Sequence, residues 1–312
     1  MSENSGPPDG NTPISIKVLL AGAVDYAGLF PPAALNMESA VRKYAEHRRG
    51  PYQWVLGRFV VPVSRLEEFN FSALDLLGSG SKDEPWRLAA LSGPELRADM
   101  AKIEKFNKWH DERRDGVPAV IEVVETKARS PEVIEVAGRL IPDSVAAYFE
   151  IPTEVEPGEL IDAISRSNAG AKLRMGGVTP EMFPPAVDLV RFLQACYEKD
   201  VVIKATAGLH HPLCSIRNLT YDPGAPKGRM YGFLNLMIAA ACARESAGED
   251  VMLDVLNEES ADSFTFDDLG IRWNGYFLST EVLGAVRRRS IASFGSCSVD
   301  EPVGDLKGLQ LL

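Results

Sequence analysis

The chain has 312 residues, 45% hydrophobic and 25% charged, which suits one large globular domain or two small ones. Its net charge of -11 argues against nucleic acid or an anionic membrane as partner, while leaving room for a local cationic pocket. Four cysteines without paired spacing indicate neither a disulfide framework nor a zinc site, so free thiols and a cytoplasmic setting are expected.

The first residues, MSENSGPPDGNTP, are polar and rich in Pro and Gly, and read as a disordered tail over 1–13 with a single barrel-like domain over 14–312. Val18 to Val24 is apolar and ambiguous between strand and helix. The turn DYAGLFPPA follows, where Asp25 is either a turn residue or a site carboxylate in a sheltered loop. A helix is expected from about Ala33 to His47.

A repeated strand–helix rhythm then begins. Strands are expected from Trp54, Trp86, Ala119 and Val145, then in AKLRM, VVIKATA and IASFGS. Helices are expected over Gly93–Glu112, Ser130–Leu140, Pro157–Asn168, Ala186–Glu198 and Thr280–Arg289, with a loop over Gly78–Asp83. Beyond Pro212 the rhythm loosens into an irregular stretch, a buried helix over Tyr231–Arg244 and a small hairpin in SFTFDDLGIRWNG. Asp250–Glu258 is open between a helix and a strand, and Val251 is a candidate eighth strand. Ser298 and Glu301 form a capping box for a last helix. A (β/α)8 barrel of the TIM type, irregular in its last third, fits this order best, with an open doubly wound sheet second.

The alternation of strand side chains assigns the charges. Arg58, Glu122, Glu150, Lys172, Arg174 and Lys204 collect on inward positions, and Thr206 shares the face of Lys204. Glu125 falls out of phase with Glu122 and is expected to face outward or into the loop. Four inward cations against two carboxylates imply an anion-selective mouth at the carboxyl ends of the strands. The alternative is a structural ion-pair network. Lys204 is open between nucleophile, substrate-binding cation and ion-pair partner. As a nucleophile it must be neutral, and neighbouring cations are expected to depress its pKa.

His210 and His211 sit in the loop after the Lys204 strand, placed to act as acid or base. No cofactor is expected, although a divalent metal is left open, with Glu150 or Glu122 as the partner carboxylate. Gly295, Ser296 and Ser298 of SFGSCS form an expected anion cradle at a helix start. Cys297 beside them is either a thiolate nucleophile favoured by the helix start or, since no histidine lies near it in sequence, a quiet buried thiol.

Lys172-Leu-Arg-Met-Gly176 and Lys204-Ala-Thr-Ala-Gly208 both open Lys-x-x-x-Gly, 32 residues apart on consecutive strands. This pair resembles the two lysine strands of deoxyribose-phosphate aldolases and related class I aldolases. The resemblance covers about forty residues and implies a Schiff-base lysine whose pKa a second lysine lowers. By composition Lys204 matches the Schiff-base motif, whereas by order the family's reactive lysine comes first, which selects Lys172. The leading expectation is a lyase or aldolase acting on a small anionic substrate through a lysine imine. An isomerase or racemase, a metal-dependent lyase or hydrolase using His210 or His211 with Glu150, and a non-catalytic ligand-binding barrel are the alternatives. The sequence leaves a homo-oligomer open.

Overall fold

The computed structural model describes residues 12–77, 84–112 and 118–312. Most of the expected tail and the loop expected over Gly78–Asp83 lie outside them. Pro13 ends the tail by leading directly into helix α1 (Ile14–Leu20). The apolar ambiguity around Val18 is resolved by division: α1 comes first, then the short strand β1 (Val24–Tyr26).

The chain then alternates as α2 (Met37–His47), β2 (Leu56–Pro62), α3 (Leu66–Leu77), β3 (Trp86–Leu91), α4 (Leu96–Glu112) and β4 (Ala119–Lys127). It continues through α5 (Pro131–Leu140), β5 (Ala146–Glu150), α6 (Gly158–Arg166), β6 (Gly170–Arg174), α7 (Ala186–Glu198) and β7 (Ile203–Thr206). Caps fix several starts: the side chains of Asn36 and Ser130 accept the Ser39 and Val133 N–H groups ahead of α2 and α5. An 84-residue excursion separates β7 from the last barrel strand. It holds the hairpin β8 (Ser215–Asn218) and β9 (Lys227–Met230), α8 (Phe233–Arg244), α9 (Glu249–Asn257), the three-stranded sheet β10 (Phe264–Phe266), β11 (Gly270–Trp273) and β12 (Tyr276–Ser279), and α10 (Thr280–Arg289). Strand β13 (Ile291–Ser296) and helix α11 (Asp300–Gly308) end the chain, with Ser298 Oγ accepting the Glu301 N–H at 3.2 Å.

β1 to β7 and β13 close an eight-stranded parallel barrel in the order β1-β13-β7-β6-β5-β4-β3-β2. The fold is therefore the expected (β/α)8 barrel, irregular in its last third. The stretch expected to be irregular holds the hairpin β8–β9, the expected small hairpin gains a third strand, β12, and two assignments that shape the barrel change. The eighth strand is β1, three residues long and too short to carry an alternation signal, and Val251 lies in α9 instead. Helix α3 between β2 and β3 has no counterpart in the sequence reading.

Alternate strand residues divide two cores. Outward ones pack under the helices, where Tyr26, Tyr44, Phe59, Phe69 and Trp86 interlock edge to face and tilted. The inward apolar set is small: Val60, Ala89 and Val123, with Ala27, Phe30, Leu91 and Tyr148 against them. Charged side chains, with Ser293 and Thr206, occupy much of the rest of the interior. Among the described residues no helix is long and apolar enough to cross a membrane.

Candidate active site

Side chains from β1 to β7 meet inside the barrel in one row of alternating sign. Arg87 and Arg58 both hold Glu122, each with one nitrogen 2.6 Å from its Oε1. Arg58 also approaches Asp25, at 3.9 Å. Asp25 accepts from Lys204 at 2.9 Å, and Lys204 donates in turn to Glu125. The other Glu125 oxygen accepts from Lys172 at 2.8 Å, which reaches Glu150 at 2.8 Å. Arg174 closes the row on Glu150 at 3.3 Å. Nine groups thus alternate from Arg87 to Arg174, five cations and four carboxylates.

Three interruptions in strand register put these groups in place. β3 and β4 pair Leu88 with Ile121 and then Ala89 with Val123, so Glu122 is an extra residue. Such a bulge reverses the facing of everything after it. Glu122 therefore faces the Arg58 end, and Glu125 turns inward to the centre of the row, contrary to the outward position expected for it. A second bulge sits in β2 opposite Asp25, where the Arg58 N–H donates to Asp25 Oδ1 at 2.6 Å. Gly57 is required there, since a Cβ would collide with the Asp25 carboxylate. The third, in β13, turns Ser293 inward to donate to Asp25 Oδ2 at 2.6 Å.

The charges correct a further expectation. Four inward cations do not face two carboxylates, because Asp25 and Glu125 complete the row. Burial alone would push Lys204 toward neutrality, but Asp25 and Glu125 outweigh it and hold its pKa above the ordinary lysine value. Burial opposes the Lys172 ammonium too, and Glu125 and Glu150 outweigh it in the same way. Both lysines are cations at rest, rather than depressed by their neighbours. Burial disfavours the Glu125 carboxylate, but Lys204 and Lys172 bring its pKa down to about 2. Burial also opposes ionised Glu150, and Lys172 with Arg174 still lowers its pKa.

The row opens into a cavity of about 270 Å³ at the carboxyl ends of the strands. Glu125, Lys172 and Lys204 line it with Arg174, under apolar walls that include Phe30, Val60, Leu91 and Met182. The side chains of Lys204 and Lys172 are only 2% and 6% exposed, whereas Arg174 at the rim is 39% exposed. Thr206 and Gly295 also line the cavity.

The glycine of KATAG has a steric cause. Ala207 and Gly208 both take left-handed backbone, at φ 59 and 67, and turn the chain sharply after β7. A Cβ on Gly208 would stand 2.8 Å from the Phe183 ring and 3.0 Å from Gly176 Cα. The glycines that end both lysine motifs thus let the β6 and β7 loops touch beneath Phe183.

That turn delivers His210 into the cavity wall, opposite Cys297. His210 Nδ1 lies 3.5 Å from Glu301 Oε2, 3.7 Å from Cys297 Sγ and 3.5 Å from Ser296 Oγ. Tyr221 donates to Glu301 at 2.9 Å, with its hydroxyl 3.6 Å from Cys297 Sγ. Burial disfavours the His210 imidazolium, but Cys297 and Glu301 outweigh it and hold the pKa at about 9.

Several candidate residues sit elsewhere. Arg58 and Glu122 serve the far end of the row with Arg87, and do not line the cavity. His211 turns to Asp305, 2.5 Å away, and leaves the cavity to His210. The carboxylate beside His210 is Glu301, not Glu150 or Glu122, which are held by Lys172 and Arg58. Nor is SFGSCS an anion cradle: Ser296 faces His210, Ser298 caps α11, and the first turn of α11 carries Asp300 and Glu301, which repel an anion. Cys297 has a histidine partner after all. That pairing joins the ends of β7 and β13, which are neighbours in the barrel although 87 residues separate His210 from Cys297.

Fold and cavity together define the chain as a (β/α)8 barrel with a charged interior row opening at the carboxyl-terminal face, where barrels of this kind keep their ligand sites. No family model, curated protein or solved structure matches it.

Proposed function

We propose that the protein is a lyase of the aldolase type, in which Lys204 forms an imine with the carbonyl group of a small anionic substrate. The observation that carries this reading is the pair of buried lysines on adjacent strands, bridged by Glu125, at the floor of a small cavity with apolar walls. A lysine is costly to bury, and two side by side at a cavity floor call for a chemical reason. The local resemblance to class I aldolases supports the same assignment.

The charge row suits the step. Lys204 as an ammonium first passes a proton to a flanking carboxylate, Glu125 or Asp25. The freed amine adds to the carbonyl carbon and a C–N bond forms. The two protons that the nitrogen loses leave with the carbonyl oxygen as water, and the iminium keeps the single positive charge. Asp25 and Glu125 therefore face a cation before and after the step, with no charge stranded in the interior. The iminium then accepts the electron pair of the adjacent breaking C–C bond. Arg174, the end of the row that lines the cavity, is suited to hold the substrate's anionic group at the rim.

The raised lysine pKa values favour one other reading, a proton-transfer isomerase in which Lys204 acts as acid and never as nucleophile. Borohydride reduction with a panel of small aldehydes, ketones and keto acids separates the two. The aldolase reading expects a stable mass increase on the intact protein, mapped to the β7 peptide. An unmodified mass with every carbonyl compound removes the imine.

A further inference from the structure

We propose that His210, Cys297 and Glu301 form a mononuclear zinc site in the cavity wall, with an open fourth position facing the lysines. The donors are His210 Nδ1, Cys297 Sγ and a Glu301 carboxylate oxygen, all within 4.8 Å of one another. A tetrahedral zinc with bonds of about 2.0–2.3 Å holds its donors about 3.3–3.7 Å apart. The histidine–carboxylate and histidine–thiol separations here are 3.5 and 3.7 Å. One nitrogen, one thiol sulfur and one carboxylate oxygen are a donor set of borderline softness, which suits zinc over magnesium or calcium.

The ring geometry favours a metal over a nucleophile triad. In a triad the two imidazole nitrogens divide the work, one toward the nucleophile and one toward the orienting carboxylate. Here the same nitrogen, Nδ1, faces both the thiol and the carboxylate. The three donor atoms lie close enough together for a single ion to bind all of them. The outer support is present too. Tyr221 donates to Glu301 Oε2 at 2.9 Å and fixes the carboxylate, as partners of metal ligands do. All three donors are held by built structure: His210 by the tight turn at Ala207 and Gly208, Cys297 by the end of β13, and Glu301 by the Ser298-capped first turn of α11.

His210 and Cys297 line the cavity that holds Lys204, so the remaining coordination position opens toward the substrate. An oxygen of the substrate is the fitting fourth ligand, a hydroxyl, carbonyl or carboxylate group. Metal binding itself is independent of the imine reading: the site can bind zinc whether or not Lys204 forms an adduct.

The test is a titration of the tag-free, chelator-treated, reduced full-length protein with Co²⁺, then displacement by Zn²⁺. The expected result is one equivalent of tight binding with a thiolate charge-transfer band and the intense visible bands of tetrahedral cobalt, both lost when zinc is added. Cys297→Ser should abolish the charge-transfer band, and Glu301→Gln should weaken binding at least tenfold. Cys214→Ser, at a buried cysteine on the hairpin side, should change neither. Wild-type protein that shows no stoichiometric cobalt spectrum overturns the proposal without recourse to any variant. A spectrum that survives Cys297→Ser in folded protein overturns it equally.

Discussion

The interior row and the cluster at the cavity wall are built from similar residue types but are held in opposite ways. In the row, each charge rides on a strand and meets its partner on a neighbouring or nearby strand, so the sheet sets the spacing and burial raises the stakes. At the wall, His210, Cys297 and Glu301 come from a loop, a strand end and a helix start, and Tyr221 reaches in from a largely exposed position. The row is fully paired within itself, whereas the wall cluster gathers three metal-ligating side chains within 4.8 Å of one another. Barrel strands, in short, make a rigid balanced interior, and the loops above them supply the groups that can accept something new.

The largest break in that contrast should come from the row. Lys204→Met leaves Asp25 and Glu125 buried without their shared cation, and should cost about 3–5 kcal/mol of unfolding free energy, measured by urea titration. A loss below about 1 kcal/mol would mean that the interior is far wetter than its burial implies. Glu125→Gln comes next, at about 3 kcal/mol, and should exceed Glu150→Gln, because Glu125 bridges both lysines while Glu150 is shared with rim-exposed Arg174. This reverses the order that strand phasing alone suggests.

Acid should sharpen the same contrast. The Glu125 pKa is depressed on folding, so its stabilisation is fully present above the unfolded value of about 4.3 and is lost as pH falls through about 2. A shift of that size is worth on the order of 3 kcal/mol. Urea midpoints measured stepwise from pH 6 to pH 2 should therefore fall more steeply in wild type than in Glu125→Gln; parallel curves would remove Glu125 from the account. The smallest effect belongs to the far end of the row. Glu122→Gln, where Arg87 is half exposed, should cost about 1 kcal/mol or less by the same titration.

Much of this architecture was legible in the chain, for reasons that residues make plain. Lys172, Arg174, Lys204 and Thr206 could be placed inward because β6 and β7 run in unbroken register with each other. Glu125 could not, because the bulge at Glu122 inserts one residue and no local feature of AVIEVVET announces it. Asp25 was singled out as a carboxylate in a sheltered turn, but β1 is too short to show which way it points. The lysine pKa direction is hidden for the same cause: without Glu125 and Asp25 in the interior, four cations share only Glu122 and Glu150, and the two carboxylates that hold Lys204 charged are left out of the balance. The pairing of His210 with Cys297 had no sequence signal beyond their positions after two strands, since adjacency of β7 and β13 follows only from barrel closure across the long excursion between them.

The account stands most directly on trapping in three proteins side by side: wild type, Lys204→Arg and Lys172→Arg, each reduced with borohydride in the presence of the same small carbonyl compounds and read by intact mass. Arginine keeps the charge that Asp25, Glu125 and Glu150 need but cannot form the imine. The account predicts a single adduct in wild type, none in Lys204→Arg, and a slower adduct at Lys204 in Lys172→Arg. Loss of the adduct only in Lys172→Arg would move the reactive amine to β6, in the order seen in class I aldolases. Adducts that persist in both variants would contradict the central claim, because neither buried lysine would then be the reacting group.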